Sequence, residues 1–528
     1  MRYMQTGHKF YGLRGCNEHP PRMLILIGVF VQNHYKCSCI IKEDVLFMMQ
    51  NNRLVHRTIL AALLALVFLG LTACTNNDAV IPTATNEPDA SVVSELPVSS
   101  PDTGTSLPTK TNKLILYNAP QQDIMDVAIR IFKSKFPEVE VEVRDFNSGA
   151  DNQQNVDNFI SVLTSDLTAG KGPDVIMWWF EIPDIYKTME AGAFENLAPY
   201  FAQDETFHTD EFTTAIFDAG IYKTQRFFVP LDYSVSTWLT TQEALQNAGL
   251  TLSETPTFAE FTEQITQYCQ KYAADNNKWI IDTFRYSTAL FLPWCGVTYL
   301  DYETGTVSVD TPEFKQAMDT YKVMYDMLFK REERGVALPQ PYWNGDTEKL
   351  IMNNRLLFSR EWNALWLLSD RYAGLLTTQT PMLIQMPNIT GGKTVADINH
   401  SVGIRKNSEN KQNAYEFIKI LLSDEVQSST TIYSLNIPVR TESLTKKANT
   451  IVARTGGGNG DGSIRYTKPS GEMATSYVQS LTDVTYTQHR TRANEYVWEA
   501  MLPYFEGQKS YEACIAELQN KLELYIAE

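Results

Sequence analysis

The stretch GKGPDVIMWWF, Gly170 to Phe180, decides the fold. Gly170 stops a helix whose apolar face carries Phe159, Leu163 and Leu167, and Asp174–Phe180 then reads as a buried strand. Working upstream, Val139, Val141 and Val143 alternate with Glu138, Glu140 and Glu142, the period-two pattern of a half-buried strand. Before it lies a helix with Ile124, Ala128, Ile131 and Phe132 on one face, ended by Pro137. Leu114-Ile115-Leu116-Tyr117 opens the series as a short buried strand. Strands and helices in alternation predict α/β units with a mostly parallel sheet.

Downstream the same grammar continues. Thr257-Phe-Ala-Glu260 is a capping box, and the helix it opens buries Phe261, Ile265 and Tyr268. Thr311-Pro312-Glu313 begins another helix, with proline at its first position. Ala414, Phe417, Ile418 and Leu421 form an amphipathic face, and Arg492–Phe505 and Tyr511–Ala527 close the chain as two helices. There is no internal repeat, and the single low-complexity patch, Gly456–Gly462, reads as a flexible surface loop.

The 528 residues suffice for two or three domain-sized units, and 43% apolar with 20% charged residues is ordinary for a globular protein. Of the net charge of −17, residues 1–73 contribute +5 (eight Lys/Arg, three Asp/Glu), so the remainder carries −22. So acidic a body disfavours nucleic acid as a partner. Cys269, Cys295 and Cys514 are the only cysteines beyond residue 74. They form no CxxC pair and no disulfide framework, though a Cys269–Cys295 bridge stays open.

From Met49 the chain reads MQNNRLVHRTILAALLALVFLGLTAC. Arg53 and Arg57 precede the apolar run Ile59–Ala73, whose fifteen residues fall short of the ~20 that span a bilayer and suit a signal-peptide core. Its end, Leu71-Thr72-Ala73-Cys74, resembles the bacterial lipobox, which implies lipidation of Cys74 and anchoring on the extracytoplasmic face of the cell membrane. The expected organisation is thus a mis-called extension over 1–47, with Met48 or Met49 the better start, and a lipoprotein signal peptide over 48–73. A tether over 74–112 follows, rich in Thr, Ser and Pro.

Five further stretches, taken with Gly170–Ile176 ("G-x-x-P-D-V"), carry a family resemblance in the correct order: Ala191–Leu197 (AGAFENL), Phe228–Tyr233 (FVPLDY), Ala248–Leu250 with Pro256–Phe261 (PTFAEF), Val402–Lys406 (VGIRK) and Asn413–Ile418 (NAYEFI). Together they resemble the extracellular solute-binding proteins (family 1) that serve carbohydrate ABC importers. The departures are the glycine-rich stretch near 456 and poor agreement over 330–350. The resemblance implies an α/β, two-lobed periplasmic-binding-protein-like fold (type II), with a ligand cleft between lobes and a hinge crossed three times. The crossings fall near Asp232–Ser236, Val395–His400 and Asn436–Arg440. One lobe then takes 113–233 plus 400–437 and the other 234–399 plus 438–528. A monomer without cofactor or metal is expected, whose partners are a small solute, foremost a sugar, and the importer's permease subunits.

Sugars present flat CH faces and outward hydroxyls, so aromatic platforms beside Asp, Glu, Asn and Arg are the side chains to seek. The resemblance places Asn118, Trp178, Trp179 and Glu181 at strand ends of the first lobe, and Asp232 and Tyr233 at the first crossing. Adjacent strand residues face opposite ways, so at most one of Trp178 and Trp179 stacks on a ligand and the other packs in the core. Asn118 serves equally as a turn residue, and Asp232 equally as a partner of Arg226 or of a backbone turn. In the second lobe Arg285, Trp294, Trp362 and Asn363 are candidates, with Trp343 and Asn344 weaker. Trp362 is the preferred stacking platform; the alternative is a core indole sharing helical spacing with Trp366.

Two other classes compete. A ligand-sensing receptor for a membrane sensor has the same architecture. A surface glycoside hydrolase needs only two carboxylates and leaves no motif. The body has three histidines, His208, His400 and His489, and lacks HExxH, GxSxG and Walker A patterns, so an enzyme is not expected.

Overall fold

The computed structural model describes residues 111–120, 123–147, 152–179, 184–281, 288–333, 346–361, 364–391, 394–432, 436–455, 457–458 and 465–528, within one compact unit. Cys74, Glu181, Arg285, Trp343, Asn344, Trp362 and Asn363 lie outside the described residues, and of Trp179 only the backbone lies within them.

The strands are, in chain order, β1 Lys113–Asn118, β2 Glu140–Asp145, β3 Val175–Trp179, β4 Ile221–Tyr222, β5 Gln225–Arg226, β6 Phe228–Pro230, β7 Asp232–Val235, β8 Thr237–Thr241, β9 Trp279–Ile281 and β10 Leu300–Asp301. They continue as β11 Thr306–Val307, β12 Leu356–Glu361, β13 Pro381–Gln385, β14 Thr394–Ile398, β15 His400–Ile404, β16 Ile437–Pro438, β17 Gly457–Gly458, β18 Arg465–Tyr466 and β19 Val484–Gln488. Three sheets organise them: β2-β1-β3-β15-β6, β13-β8-β12-β9 and β16-β7-β14-β19; β4-β5, β10-β11 and β17-β18 are two-stranded ladders.

The first sheet is parallel except for β15, and the second is parallel except for β8. Each reversed strand directly follows a strand of the third sheet: β7 runs into β8, and β14 into β15. This explains the reversal. A chain that leaves one sheet at the carboxyl ends of its strands, and enters the next at the same kind of edge, must run against that sheet's other strands. The carboxyl edges of both large sheets therefore front the β16-β7-β14-β19 sheet. The three segments read from the sequence as crossings supply strands of that sheet, β7 pairing antiparallel with both β14 and β16.

Both faces of the first sheet are covered. Leu116, Val175, Met177 and Val402 pack with Ile124, Met125, Ala128 and Phe132 of the helix Asp123–Lys135 and with Phe417 of the helix Lys411–Leu421. On the opposite face Tyr117, Ile176 and Trp178 meet Phe146, Phe159, Phe194 and Phe228. The alternation of Val175 and Met177 with Ile176 and Trp178 is the strand period at work. β2 departs from its expected half-burial: it is an edge strand, exposed over most of its length, with Val143 37% accessible.

The capping box forms as written, Thr257 N–H donating to Glu260 Oε2 (2.8 Å) and Glu260 N–H to Thr257 Oγ1 (3.2 Å). The two terminal helices span Arg492–Phe505 and Tyr511–Ala527. Helix Thr441–Arg454, beyond the third crossing, is tied back to Asp424 by Ser443 Oγ (2.7 Å) and Lys446 Nζ (2.9 Å). Cys269, Cys295 and Cys514 are buried and unbridged. Among the described residues no helix is long and apolar enough to cross a membrane, and no three His, Cys, Asp or Glu side chains converge as a metal site.

Candidate functional site

The carboxyl edge of the first sheet ends in amides and carboxylates. Asn118, last residue of β1 and 6% exposed, turns its Nδ2 toward Asp145 Oδ1 (3.4 Å) and Asp126 Oδ1 (3.5 Å). Asp145 Oδ1 also accepts the backbone N–H and Nδ2 of Asn147, both at 2.9 Å. The Asn118 Oδ1 is buried with no hydrogen-bond partner among the described residues. A buried acceptor left unmade is costly, and at a strand end it is a ready contact for a ligand hydroxyl. Next to it Trp178 turns inward onto Phe194 (5.4 Å between centroids) and Phe228 (5.2 Å), so this indole packs in the core.

At the first crossing Asp232 is fully buried and wholly engaged. Its Oδ1 accepts His400 N–H (2.8 Å) and faces His400 Nδ1 (2.7 Å), and its Oδ2 accepts Asn436 N–H (2.7 Å). One carboxylate thus fastens the first crossing to the start of β15 and to the third crossing. Arg226 pairs instead with Asp218 (2.5 Å). Tyr233, also buried, donates its hydroxyl to Leu481 O (3.0 Å).

A second buried network joins β14 to the second sheet. Trp294 Nε1 donates to Asp397 Oδ2 (2.9 Å), Gln488 Nε2 donates to Asp397 Oδ1, and the Arg360 guanidinium lies 4.0 Å over the Trp294 ring. Burial pushes the Asp397 carboxyl above its usual range, while Arg490, Trp294 and Arg360 act in the opposite direction. Arg490 is itself lowered by burial and partly restored by Asp397. Asp397, Arg360, Gln488 and Arg490 escaped the sequence reading. The signal for two of them was a charge inside an otherwise apolar strand, TVADI and LLFSRE.

Of the candidates named from the sequence, Asp232 and Tyr233 are brought together at the crossing, while Asn118 and Trp294 stand at the two flanking sheets. Trp178, Tyr233 and Trp294 spend their surfaces on the protein itself. Depressions of about 860 Å³, lined by Gln385, Glu472 and Gln479, and about 430 Å³, lined by Phe258, Asn388 and Thr394, lie beyond the end of β13. Gln385, at the carboxyl end of β13, lines both, Thr394 of β14 lines the smaller, and none of the candidate residues lines either.

Residues 116–428 match the model of the bacterial extracellular solute-binding protein family. Among solved structures, the sugar-binding protein MalE of Xanthomonas citri superposes with a TM-score of 0.57 at 15% identity, over 79% of this chain and 97% of that one. The cyclic α-maltosyl-1,6-maltose binding protein of Arthrobacter globiformis gives 0.53 at 13% identity, over 79% and 99% of the two chains. An ABC substrate-binding protein of Listeria monocytogenes in complex with cycloalternan gives 0.51 at 13% identity, also over 79% and 99%. No curated protein matches the sequence. The family match covers more than half of the 528 residues, and the chain belongs to the bacterial extracellular solute-binding proteins. Its α/β architecture is that of the two-lobed binding proteins.

Proposed function

We propose that this chain is the solute-capturing component of an ABC importer, that its solute is a sugar or oligosaccharide, and that it binds by closure of two lobes about the β16-β7-β14-β19 sheet. The observation that carries the reading is topological: the carboxyl edges of both large sheets front one crossing sheet, and ligands of open α/β sheets bind at such edges. The unmade acceptor of Asn118 stands at that edge. The sugars named with the similar structures, cycloalternan and cyclic maltosyl-maltose among them, support a carbohydrate. No bond is made or broken in this function. Ligand favours the closed form because only there do both lobes touch it.

Asn118, Trp179, Glu181, Arg285, Trp362 and Asn363 are the proposed contacts, and Asp232, Trp178, Tyr233 and Trp294 the frame behind them. Cys74 is the proposed lipid anchor, which holds the body on the extracytoplasmic face beside the permease subunits. A thermal-shift screen over maltose, maltotriose, mannotriose and cyclic α-glucans tests the ligand class. A saturable rise in melting temperature with one of them is expected, because a ligand that binds only the folded state stabilises it by mass action. Hydrolysis of the sugar during the screen would turn the reading to an enzyme. In the same cells Cys74→Ala is expected to leave the membrane fraction or to persist as precursor; anchoring equal to the wild type would refute lipidation.

A further inference from the structure

Four tyrosines join the two lobes beside the end of β19, where His489 packs against the Tyr186 ring. Tyr186 belongs to the first lobe, on the helix Ile185–Glu190 that follows the carboxyl end of β3. Its ring stacks on Tyr302, in the turn of the β10-β11 hairpin, with centroids 4.0 Å apart and planes 12° from parallel. The Tyr302 carbonyl accepts the hydroxyl of Tyr222 (2.9 Å), and the Tyr302 hydroxyl donates to Thr491 Oγ1 (2.7 Å), the cap of helix Arg492–Phe505. Tyr525 lies on the last helix, which packs along Arg492–Phe505 and so belongs to the second lobe. Its hydroxyl donates to Asp184 Oδ2, its carbonyl accepts Lys187 Nζ (2.6 Å), and that ammonium sits 4.2 Å over its ring.

The first-lobe side of this contact is strained. Lys223 and Thr224, the turn of the β4-β5 hairpin, both have positive φ (46° and 67°), though each carries a Cβ. A type I′ turn normally recruits glycine or asparagine for that geometry. Here it is held by what the turn touches: Lys223 N–H donates to Glu303 Oε1 of the opposite hairpin (3.0 Å), and Lys223 Nζ pairs with Glu190 (2.6 Å), which also accepts the Tyr222 hydroxyl (2.8 Å). Strain retained at a contact between moving parts marks a place where the contact matters.

We propose that Tyr186, Tyr222, Tyr302 and Tyr525 form a closing latch, which sets ligand affinity without touching the ligand. The proposal rests on the reading above, that the lobes move about the crossing sheet. The Tyr186–Tyr302 stack and the bonds of Tyr222 to Tyr302, Tyr525 to Asp184, Lys187 to Tyr525 and Lys223 to Glu303 join one lobe to the other and have to break when the carboxyl edges part. Their free energy therefore counts toward the closed form alone, and a larger closed fraction raises apparent affinity in proportion.

The test is electron–electron distance measurement on the full chain, spin-labelled through Ser134→Cys in the first lobe and Gln267→Cys in the second, both exposed positions. Tyr302→Ala and Tyr186→Ala are each expected to lower the ratio of short to long distances by about tenfold, the order expected for an aromatic pair with its hydrogen bonds. The double variant should fall little further, since the two rings share one contact. Should an alanine variant fail to fold, Tyr525→Phe, which loses only the hydroxyl's contacts with Asp184 and with the Tyr302 hydroxyl (3.4 Å), should move the ratio the same way by about threefold. Two distances whose ratio the variants leave unchanged would overturn the latch and leave lobe motion intact, as would a wild type found only at the long distance. A single short distance in wild type and variants alike would overturn both.

Discussion

Asp174 shows what a family motif is for. The side chain is fully buried and takes four donors: Ile115 N–H (2.7 Å), Ser408 Oγ (2.7 Å), Asn410 Nδ2 (2.9 Å) and Arg405 Nη2 (3.5 Å). It thereby binds the head of β3 to β1 and to the turn after β15. Asp174→Ala would strand these donors in the interior, and a loss of about 3–5 kcal/mol in urea unfolding is expected; a loss below ~1 kcal/mol would contradict the arrangement. His489 gives a pH signature. Its ring packs against Phe228 and Tyr186, and burial pushes its pKa down to about 4. The unfolded chain takes up that proton near the ordinary value of about 6.5 and the folded chain only near 4, so this contribution is present above pH 6.5 and is lost as pH falls toward 4. Stability should decline by about 2–3 kcal/mol across that window, and the decline should flatten in His489→Gln; an equally steep decline in the variant would clear His489 of the effect. The residues that were legible in the sequence were of this scaffold kind, Asp174 and Arg405 among them. The buried partners Asp397 and Arg490 were not, because an interior charge leaves no periodic mark and its compensation comes from residues far along the chain.

The same interlocking recurs between elements. Gly403 of β15 sits beneath Phe194 and the carbonyl of Phe227, where an added Cβ would come within 2.8 Å of both. Phe194 in turn packs on Trp178. The motifs AGAFENL, GKGPDV and VGIRK, far apart in sequence, are thus one packing unit across β3 and β15. Gly403→Ala is expected to cost about 1–3 kcal/mol by overpacking, with ligand affinity kept in the folded fraction, measured by melting and titrating the same sample; lost affinity without lost stability would point to a binding role instead. Helix limits such as those of Arg492–Phe505, and the Thr257 cap, were readable because they depend on neighbours in sequence. The exposure of β2 was not. Val-Glu alternation announces a strand with one dry face, but whether a strand ends up at the edge of its sheet is decided by the order β2-β1-β3, which local pattern does not encode.

At the scale of the whole molecule, two sheets of similar design are joined through a third, β16-β7-β14-β19. The segments that the family motifs mark as crossings supply β7, β14 and β16, and the reversed strands β8 and β15 follow from the direction in which the chain arrives at each sheet. Asp232, bonded to His400 and Asn436, ties β7 to the start of β15 and to the segment before β16 at the first-sheet end. A solute held by both carboxyl edges is expected to draw the lobes together. Small-angle scattering of the purified chain, titrated with the sugar that most raises its melting temperature, tests this most directly. The radius of gyration is expected to fall and then plateau at one equivalent of sugar, with the chain still monomeric. A sugar that binds tightly while the radius of gyration stays constant would contradict it.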